Sequence, residues 1–214
     1  MILPEDDRNL FRDVLIEQLP RDFVEAAREA FYSAAALAHK HIEDMLLLDS
    51  QIPSARGQIR FFQNLRVFTN LFESHGSLEK IAGASRIVTG RINNIILTPA
   101  TIGPKSERPR YSTQRGSLAM RNAPFSIFHN GELFDRRLEV YELAVWLVVK
   151  YSASYLDRPY DIKVVVPYED GREWLYEISI DELLRFYDEG PVSQADNAFP
   201  RIKEAVRRQR RSSE

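Results

Sequence analysis

The chain has 214 residues, 44% hydrophobic and 28% charged, which is enough apolar sequence to fold as one large or two small domains. It has no cysteine, which excludes disulfides, cysteine-ligated metal centres and a thiol nucleophile. The net charge is only −2, but it is distributed in blocks of −6 over residues 1–50, +8 over 51–124, −8 over 125–200 and +4 over 201–214. Because an electric field acts through its local sign, the central block favours an anionic partner.

The first third of the chain has the hydrophobic spacing of α-helices. A short helix is predicted over residues 5–19 and a longer, alanine-rich helix over residues 21–48. A third helix begins at Pro53 and ends before Gly76. Its apolar stripe consists of Phe61, Leu65, Phe68 and Phe72. Residues 1–76 are therefore predicted to form a helical layer.

After residue 85 the amino-acid composition changes to β-branched residues with glycine. Residues 86–97 predict one bent strand or two short ones. Residues 99–124 contain four prolines, two glycines and five basic residues but little periodicity. Since connections of this length are typically functional or mobile, we predict a long basic loop.

Two hairpins are predicted from turn signals. The first has arms at residues 125–128 and 132–134 around an Asn-Gly pair, and the second has arms at 162–168 and 173–180 around Asp-Gly. Residues 136–155 between them have apolar positions at helical spacing. Their centre is equally consistent with a buried strand, but the length of the segment favours a helix.

The remaining segments complete the expected architecture. Asp181 is predicted to cap a last helix that ends at Tyr187, and residues 191–214 to form a polar linker with a basic tail. Helices followed by hairpins favour an α+β fold, with the helical layer packed on a small antiparallel sheet in a single domain over residues 1–190. The acidic start of the chain and the lack of a membrane-length apolar run predict a cytoplasmic protein without membrane association.

Candidate anion-binding residues lie on one face of the third helix and in the basic loop. Guanidinium and amide groups present paired donors that suit phosphates and base edges, and a tyrosine can stack on a base. The predicted nucleic-acid-binding residues are Arg56, Arg60, Gln63, Lys105, Arg108, Arg110, Tyr111, Arg115 and Arg121. A solvated helix face and a disordered surface loop would produce the same patterns.

The second hairpin carries the nearest approach to a catalytic motif. The segment ending at Asp161 and the segment starting at Glu177 loosely resemble the PD-(D/E)xK nuclease pattern, in which two carboxylates hold a divalent metal. Ser179 occupies the position of the expected lysine. The predicted turn places Glu177 opposite Val164 and Asp161 opposite Ile180, so that the carboxylates point to opposite faces unless a β-bulge changes the register.

Three functions remain open at this point. The first is a nucleic-acid-associated protein that contacts the phosphates of DNA, RNA or another polyanion through the basic helix face and loop. The second is a non-enzymatic protein whose charge-segregated surfaces bind a protein partner or a second copy of the chain. The third is a metal-dependent nuclease that uses Glu177 with Asp157 or Asp161. No nucleotide-binding, zinc-protease or nucleophile motif occurs, so no cofactor or metal is predicted.

Overall fold

The computed structural model describes residues 5–79, 87–110, 112–127 and 142–189. The helices are α1 (Glu5–Gln18), α2 (Arg21–Glu43), α3 (Ile52–His75), α4 (Thr113–Ala119), α5 (Ala123–Ile127) and α6 (Ile180–Glu189). The strands are β1 (Ser77–Glu79), β2 (Thr89–Ile92), β3 (Ile95–Ile102), β4 (Leu143–Lys150), β5 (Asp161–Pro167) and β6 (Trp174–Ser179). A single 3₁₀ turn, Met120–Asn122, joins α4 to α5.

The six strands form one sheet in which spatial order follows chain order. Every neighbouring pair is antiparallel except β3 and β4, which run parallel over eight matched pairs from Ile95 with Leu143 to Ile102 with Lys150. The three amino-terminal helices precede this sheet, and the predicted α+β fold is confirmed. None of the helices in the described ranges has both the length and the apolar character that crossing a bilayer requires.

The central strand β4 has its side chains covered on both faces of the sheet. On one face Val145, Leu147 and Val149 belong to the main core, together with Phe11 and Phe68 from the helices. On the other face a smaller set of apolar residues packs beneath α4. That set consists of Ala100, Ile102, Ala119, Trp146, Val148 and Val165, with Ile96, Leu118 and Ala144 beside it. The sheet therefore lies between two helical layers of unequal size.

The helix predicted over residues 136–155 is wrong where the structure describes it, because residues 143–150 form strand β4. The first seven residues of this strand are all buried. A strand with a parallel neighbour and a cover on each face loses the apolar and polar alternation that identifies a strand in sequence. The apolar run therefore matched a helical pattern equally well.

The predicted basic loop is also wrong for much of its length. Residues 99–102 belong to β3 and residues 113–127 are helical, which leaves residues 103–112 as the β3–α4 connection. The strand region at 86–97 resolves into β2 and β3, with a turn at which Asn93 takes a φ of 48°.

Other boundaries differ in detail. The predicted hairpin at 162–180 is confirmed as β5 and β6. The first arm of the other predicted hairpin is helical in α5 as far as residue 127, and the rest of that hairpin lies outside the described residues. Helix α2 ends at Glu43. Helix α6 begins at Ile180, and the Ser179 hydroxyl rather than Asp181 accepts the Glu182 amide at 3.1 Å, as an N-cap does. The predicted linker and tail lie outside the described part of the chain.

Phe72 of helix α3 covers Gly90 of strand β2. A Cβ atom built on Gly90 would lie 2.2 Å from the Phe72 ring, so the glycine is required by packing. We expect Gly90→Ala to lower the free energy of unfolding by about 1–3 kcal/mol, the usual cost of overpacking, as measured by urea denaturation.

Gly57→Ala is the matched control for this prediction. Gly57 lies in α3, and an added Cβ meets no atom within 4 Å. Since alanine favours a helix over glycine, this change should raise the free energy of unfolding by up to about 1 kcal/mol. Equal stability of Gly90→Ala and the unmodified protein would contradict the described packing of α3 on β2.

Candidate anion-binding groove

A groove of about 640 Å³ lies between the first half of α3, the carboxyl end of β3 and the β3–α4 connection. We call it the α3 groove. Helix α3 contributes Pro53, Ser54, Gly57, Gln58, Phe61, Phe62, Asn64 and Leu65. The remaining lining residues are Pro99, Ala100, Thr101, Gly103, Ser106, Arg108, Arg110 and Arg115. No aspartate or glutamate is among these lining residues, so the groove combines apolar, aromatic and cationic groups.

One wall of the α3 groove exposes two phenylalanine rings. Phe61 is 37% exposed and Phe62 is 64% exposed, with their ring centroids 5.6 Å apart in an edge-to-face arrangement. The sequence had placed Phe61 on the core-facing stripe, and that expectation is wrong. Arg60 and Asn64 are buried instead. Exposed large apolar side chains next to buried polar ones reverse the usual distribution, which makes this wall a candidate binding surface.

Three of the predicted arginines converge on this groove. Arg108 and Arg110 come from the β3–α4 connection, and Arg115 comes from the first turn of α4. Arg108 Nη1 donates a hydrogen bond to the carbonyl oxygen of Arg172, which ties the connection to the β5–β6 turn. Within the described ranges none of the three converging arginines forms an ion pair. The groove therefore has uncompensated positive charge.

Arg115 is the most deeply placed of the three. Its guanidinium lies 5.9 Å from the centroid of the Trp146 ring, and its Nη2 donates to the carbonyl oxygen of Arg110. The Nε atom is buried and has no hydrogen-bond acceptor among the described residues. Burial lowers the pKa of Arg115, since desolvation disfavours the charged form. An anion in the groove would relieve this desolvation.

Arg60 is placed quite differently from the sequence-based expectation. It is 4% exposed, and its Nη2 donates to the carbonyl oxygen of Leu156 at 2.6 Å. Its guanidinium also lies 4.1 Å from the centroid of the Tyr151 ring. Burial lowers the pKa of Arg60. Arg60 therefore fastens α3 to the segment after β4 and does not present its charge to the groove.

The other predicted residues do not line the α3 groove. Arg56 is half-buried, and Gln63 faces α2, with its Nε2 atom 3.5 Å from His41 Nδ1. Lys105 is exposed in the connection. Tyr111 lies outside the described residues.

Arg121 is engaged in a charge network at the edge of the sheet. Its Nη1 pairs with Oε2 of Glu142, whose other oxygen accepts from Arg91 at 2.7 Å. The hydrogen bond from Arg91 is the main cause that holds the pKa of the Glu142 carboxyl below its usual value. Arg91 also pairs with Glu79. Arg121 thus has local carboxylate compensation that the three groove arginines lack.

A buried polar chain forms the floor of the α3 groove. Asn64 Nδ2 donates to Thr101 Oγ1 at 3.2 Å, and the Tyr151 hydroxyl donates to Asn64 Oδ1 at 3.1 Å. Burial raises the pKa of Tyr151 to about 12. Because these bonds join α3, β3 and the end of β4, they fix the position of the phenylalanine wall relative to the arginines.

The candidate nuclease carboxylates share a face of the sheet, which corrects the predicted register. Leu175 is the extra residue of a β-bulge, and Glu177 consequently pairs with Val165 rather than Val164. Asp161 then lies on the same face, but four residues along β5 from Val165, or about 13 Å at the usual rise per residue. Lys163 Nζ lies 3.1 Å from Glu177 Oε2 and pairs with it. The two carboxylates are too far apart to hold one metal ion between them.

The acidic residues of this region show no other metal-binding arrangement. Asp157 is exposed, and the part of the chain that the structure describes has no cluster of three or more side chains that could hold a metal ion. Burial raises the pKa of Asp161 above its usual value. A single half-buried carboxyl of this kind, without a second carboxylate beside it among the described residues, does not provide the ligand set that metal-assisted hydrolysis requires.

Comparison with known proteins assigns no relative: no family model, no curated protein and no solved structure matches this chain. Function must therefore be argued from the geometry and chemistry of the site. The sequence missed Phe61, Phe62 and Trp146, because aromatic residues at helical or strand spacing are usually core residues. Exposed and buried aromatic rings are distinguished only by how deeply each helix or strand is buried and by which of its faces points to the core.

The polar chain under the groove predicts a pH effect on stability. Tyrosine in the unfolded chain has a pKa near 10, whereas burial raises the pKa of Tyr151 in the folded state to about 12. Below pH 10 the titration of Tyr151 does not lower the free energy of unfolding. Between pH 10 and pH 12 that free energy falls as the pH rises, because the unfolded state then binds fewer protons than the folded state. Tyr151→Phe should remove up to about 1.4 kcal/mol per pH unit from that decline.

Urea unfolding at a series of pH values between 9.5 and 11.5 measures this slope. Tyr32→Phe, at an exposed position of α2, is the matched control and should leave the slope unchanged. Identical slopes for Tyr151→Phe and the unmodified protein would show that Tyr151 does not titrate differently in the folded and unfolded states.

Proposed function

We propose that the protein binds single-stranded nucleic acid in the α3 groove. The observation that carries the proposal is the convergence of three arginines without ion pairs on a groove whose opposite wall exposes two phenylalanine rings. Cationic groups that follow a backbone and aromatic rings that stack on bases are the two components of single-strand recognition. The groove volume of about 640 Å³ is within the range of ligand sites.

The phosphates are assigned to the arginine side of the groove. Arg108 and Arg110 are both exposed in the β3–α4 connection. Guanidinium groups bind phosphate through two parallel hydrogen bonds. Arg115 lies deeper and adds charge from beneath. The absence of carboxylates among the lining residues leaves this positive field uncancelled at the groove surface.

The bases are assigned to the phenylalanine side. A base of any identity offers a π-face, so stacking on Phe61 or Phe62 supports binding with little sequence preference. Duplex bases are already stacked on one another and cannot use these rings. The aromatic wall is therefore the reason to propose single strands, where the basic residues alone would suit any polyanion.

The arginine contribution is tested by the salt dependence of binding to fluorescently labelled single-stranded DNA and RNA, followed by anisotropy. For three phosphate contacts the logarithm of the binding constant should fall with the logarithm of salt concentration at a slope of about −2. The double variant Arg108→Ala/Arg110→Ala should weaken binding and reduce this slope by about 1.4.

The control for this experiment is Arg66→Ala/Arg185→Ala, which removes the same charge from exposed positions outside the groove. It should change the slope little. Failure of the unmodified protein to bind any single strand at low salt would refute the proposed function. In that case a stable oligomer seen by light scattering would favour the charge-segregated interaction protein.

The aromatic contribution is tested by Phe62→Ala in the same assay. Loss of one stacked base costs about 1–3 kcal/mol, so affinity should fall on the order of tenfold while the salt slope stays unchanged. Tyr32→Ala removes an exposed aromatic ring from α2, away from the groove, and should bind as the unmodified protein does. An unchanged affinity for Phe62→Ala would remove the basis for preferring single strands.

A further inference from the structure

A second cavity, of about 270 Å³, opens beside the α3 groove between α4 and the β5–β6 turn. The two share Arg108 and Arg110, so that one continuous surface leads from the groove into this cavity. Its other lining residues include Ser112, Trp146, Arg172 and Trp174. We call it the tryptophan cavity, since both tryptophans of the chain line it.

The tryptophan cavity has a higher density of positive charge than the groove. Arg172 joins Arg108 and Arg110 around a space less than half as large, and no aspartate or glutamate is among the lining residues. Asp170 lies in the adjacent turn, but its carboxylate accepts the backbone amide of Arg172. The cavity is therefore suited to a group with more than one negative charge.

Two buried nitrogen donors beside this cavity have no acceptor in the described part of the chain. They are the indole Nε1 of Trp146, a cavity-lining residue that is 4% exposed, and the Nε of Arg115. Arg115 lines the adjoining α3 groove, and its guanidinium lies 5.9 Å from the centroid of the Trp146 ring. A buried donor without a partner costs about 1–3 kcal/mol, and native proteins contain few of them. The unpaired Trp146 donor at this cationic cavity and the unpaired Arg115 donor next to it point to a ligand with several acceptor oxygens.

We propose that the tryptophan cavity binds the terminal phosphomonoester of the single strand that occupies the α3 groove. The inference rests on the proposed function and specifies the substrate as a strand with a phosphorylated end. A phosphomonoester carries a charge of about −1.5 to −2 and three strong acceptor oxygens, whereas an internal phosphodiester carries one charge. The extra charge and acceptors match the third arginine and the unpaired donors.

The test compares four forms of one short oligothymidylate: 5′-phosphorylated, 3′-phosphorylated, unphosphorylated at both ends, and circular. We expect one of the phosphorylated forms to bind about tenfold more tightly than the unphosphorylated form, the gain typical of an added charge-assisted hydrogen-bonded contact. Intrinsic tryptophan emission should change more with that form than with the others, because both tryptophans line this cavity, whereas the α3 groove reaches Trp146 only through Arg115. The preferred form identifies the end that is recognised.

Arg172→Ala should abolish the preference for the phosphorylated end and leave the affinity for the unphosphorylated strand unchanged within about twofold, since Arg172 does not line the α3 groove. Arg185→Ala is the charge-matched control and should retain the preference. Equal affinities for all four strands would overturn the cavity assignment while leaving the proposed function intact. Binding of none of them would instead overturn the proposed function itself.

Discussion

The parallel pairing of β3 with β4 removes both faces of the central strand from water. The amino-terminal helices cover one face, and the other face needs a second cover. Parallel strands cannot be joined by a tight turn, so the connection between them is long, and helix α4 within it packs on the face that the amino-terminal helices leave uncovered. Helix α4 places Leu118 and Ala119 over that face and carries Arg115 with it. A requirement for hydrophobic burial thus fixes where the arginines of this segment lie.

Arg60 and Arg115 show how two buried guanidinium groups can have different consequences. Both have lost much of their hydration, and burial lowers the pKa of each. Arg60 recovers this loss through the carbonyl oxygen of Leu156 and the ring of Tyr151, so that its charge holds two elements together. Arg115 has the Trp146 ring and one backbone acceptor, and it lies beside a groove whose lining residues include no carboxylate. In the described part of the chain the Nε of each of these two arginines has no partner, so their position relative to the groove is what distinguishes them. Of the two, only Arg115 lines the α3 groove, so only its placement bears on the proposed anion binding.

The sequence predicted where the helices and strands lie better than it predicted which face of each one is buried. The three amino-terminal helices and the β5–β6 hairpin follow from periodicity and an Asp-Gly turn, but β4 could not be distinguished from a helix because double burial removes alternation. The orientation of α3 depends on partners distant in sequence, which make Arg60 a buried residue and Phe61 an exposed one. The register of Glu177 depends on a bulge at Leu175 that no local pattern indicates. These are tertiary effects, and a single sequence does not encode them locally.

The charge blocks of the sequence say less about the surface charge of the protein once ion pairs and hydrogen bonds to backbone oxygens are taken into account. Within the +8 block, Arg91 and Arg121 are compensated by Glu79 and Glu142, and Arg60 is committed to backbone oxygens. The arginines without such compensation at the groove are Arg108, Arg110 and Arg115. A count of charges therefore overstates the basic surface. Lys105 and Arg66 are also exposed without an ion pair in the described part of the chain, but the three groove arginines are the ones that line one cavity together with the exposed phenylalanine rings. Because long-range fields are screened within about 8 Å at physiological salt, this local set rather than the block total is what bears on the proposed anion binding.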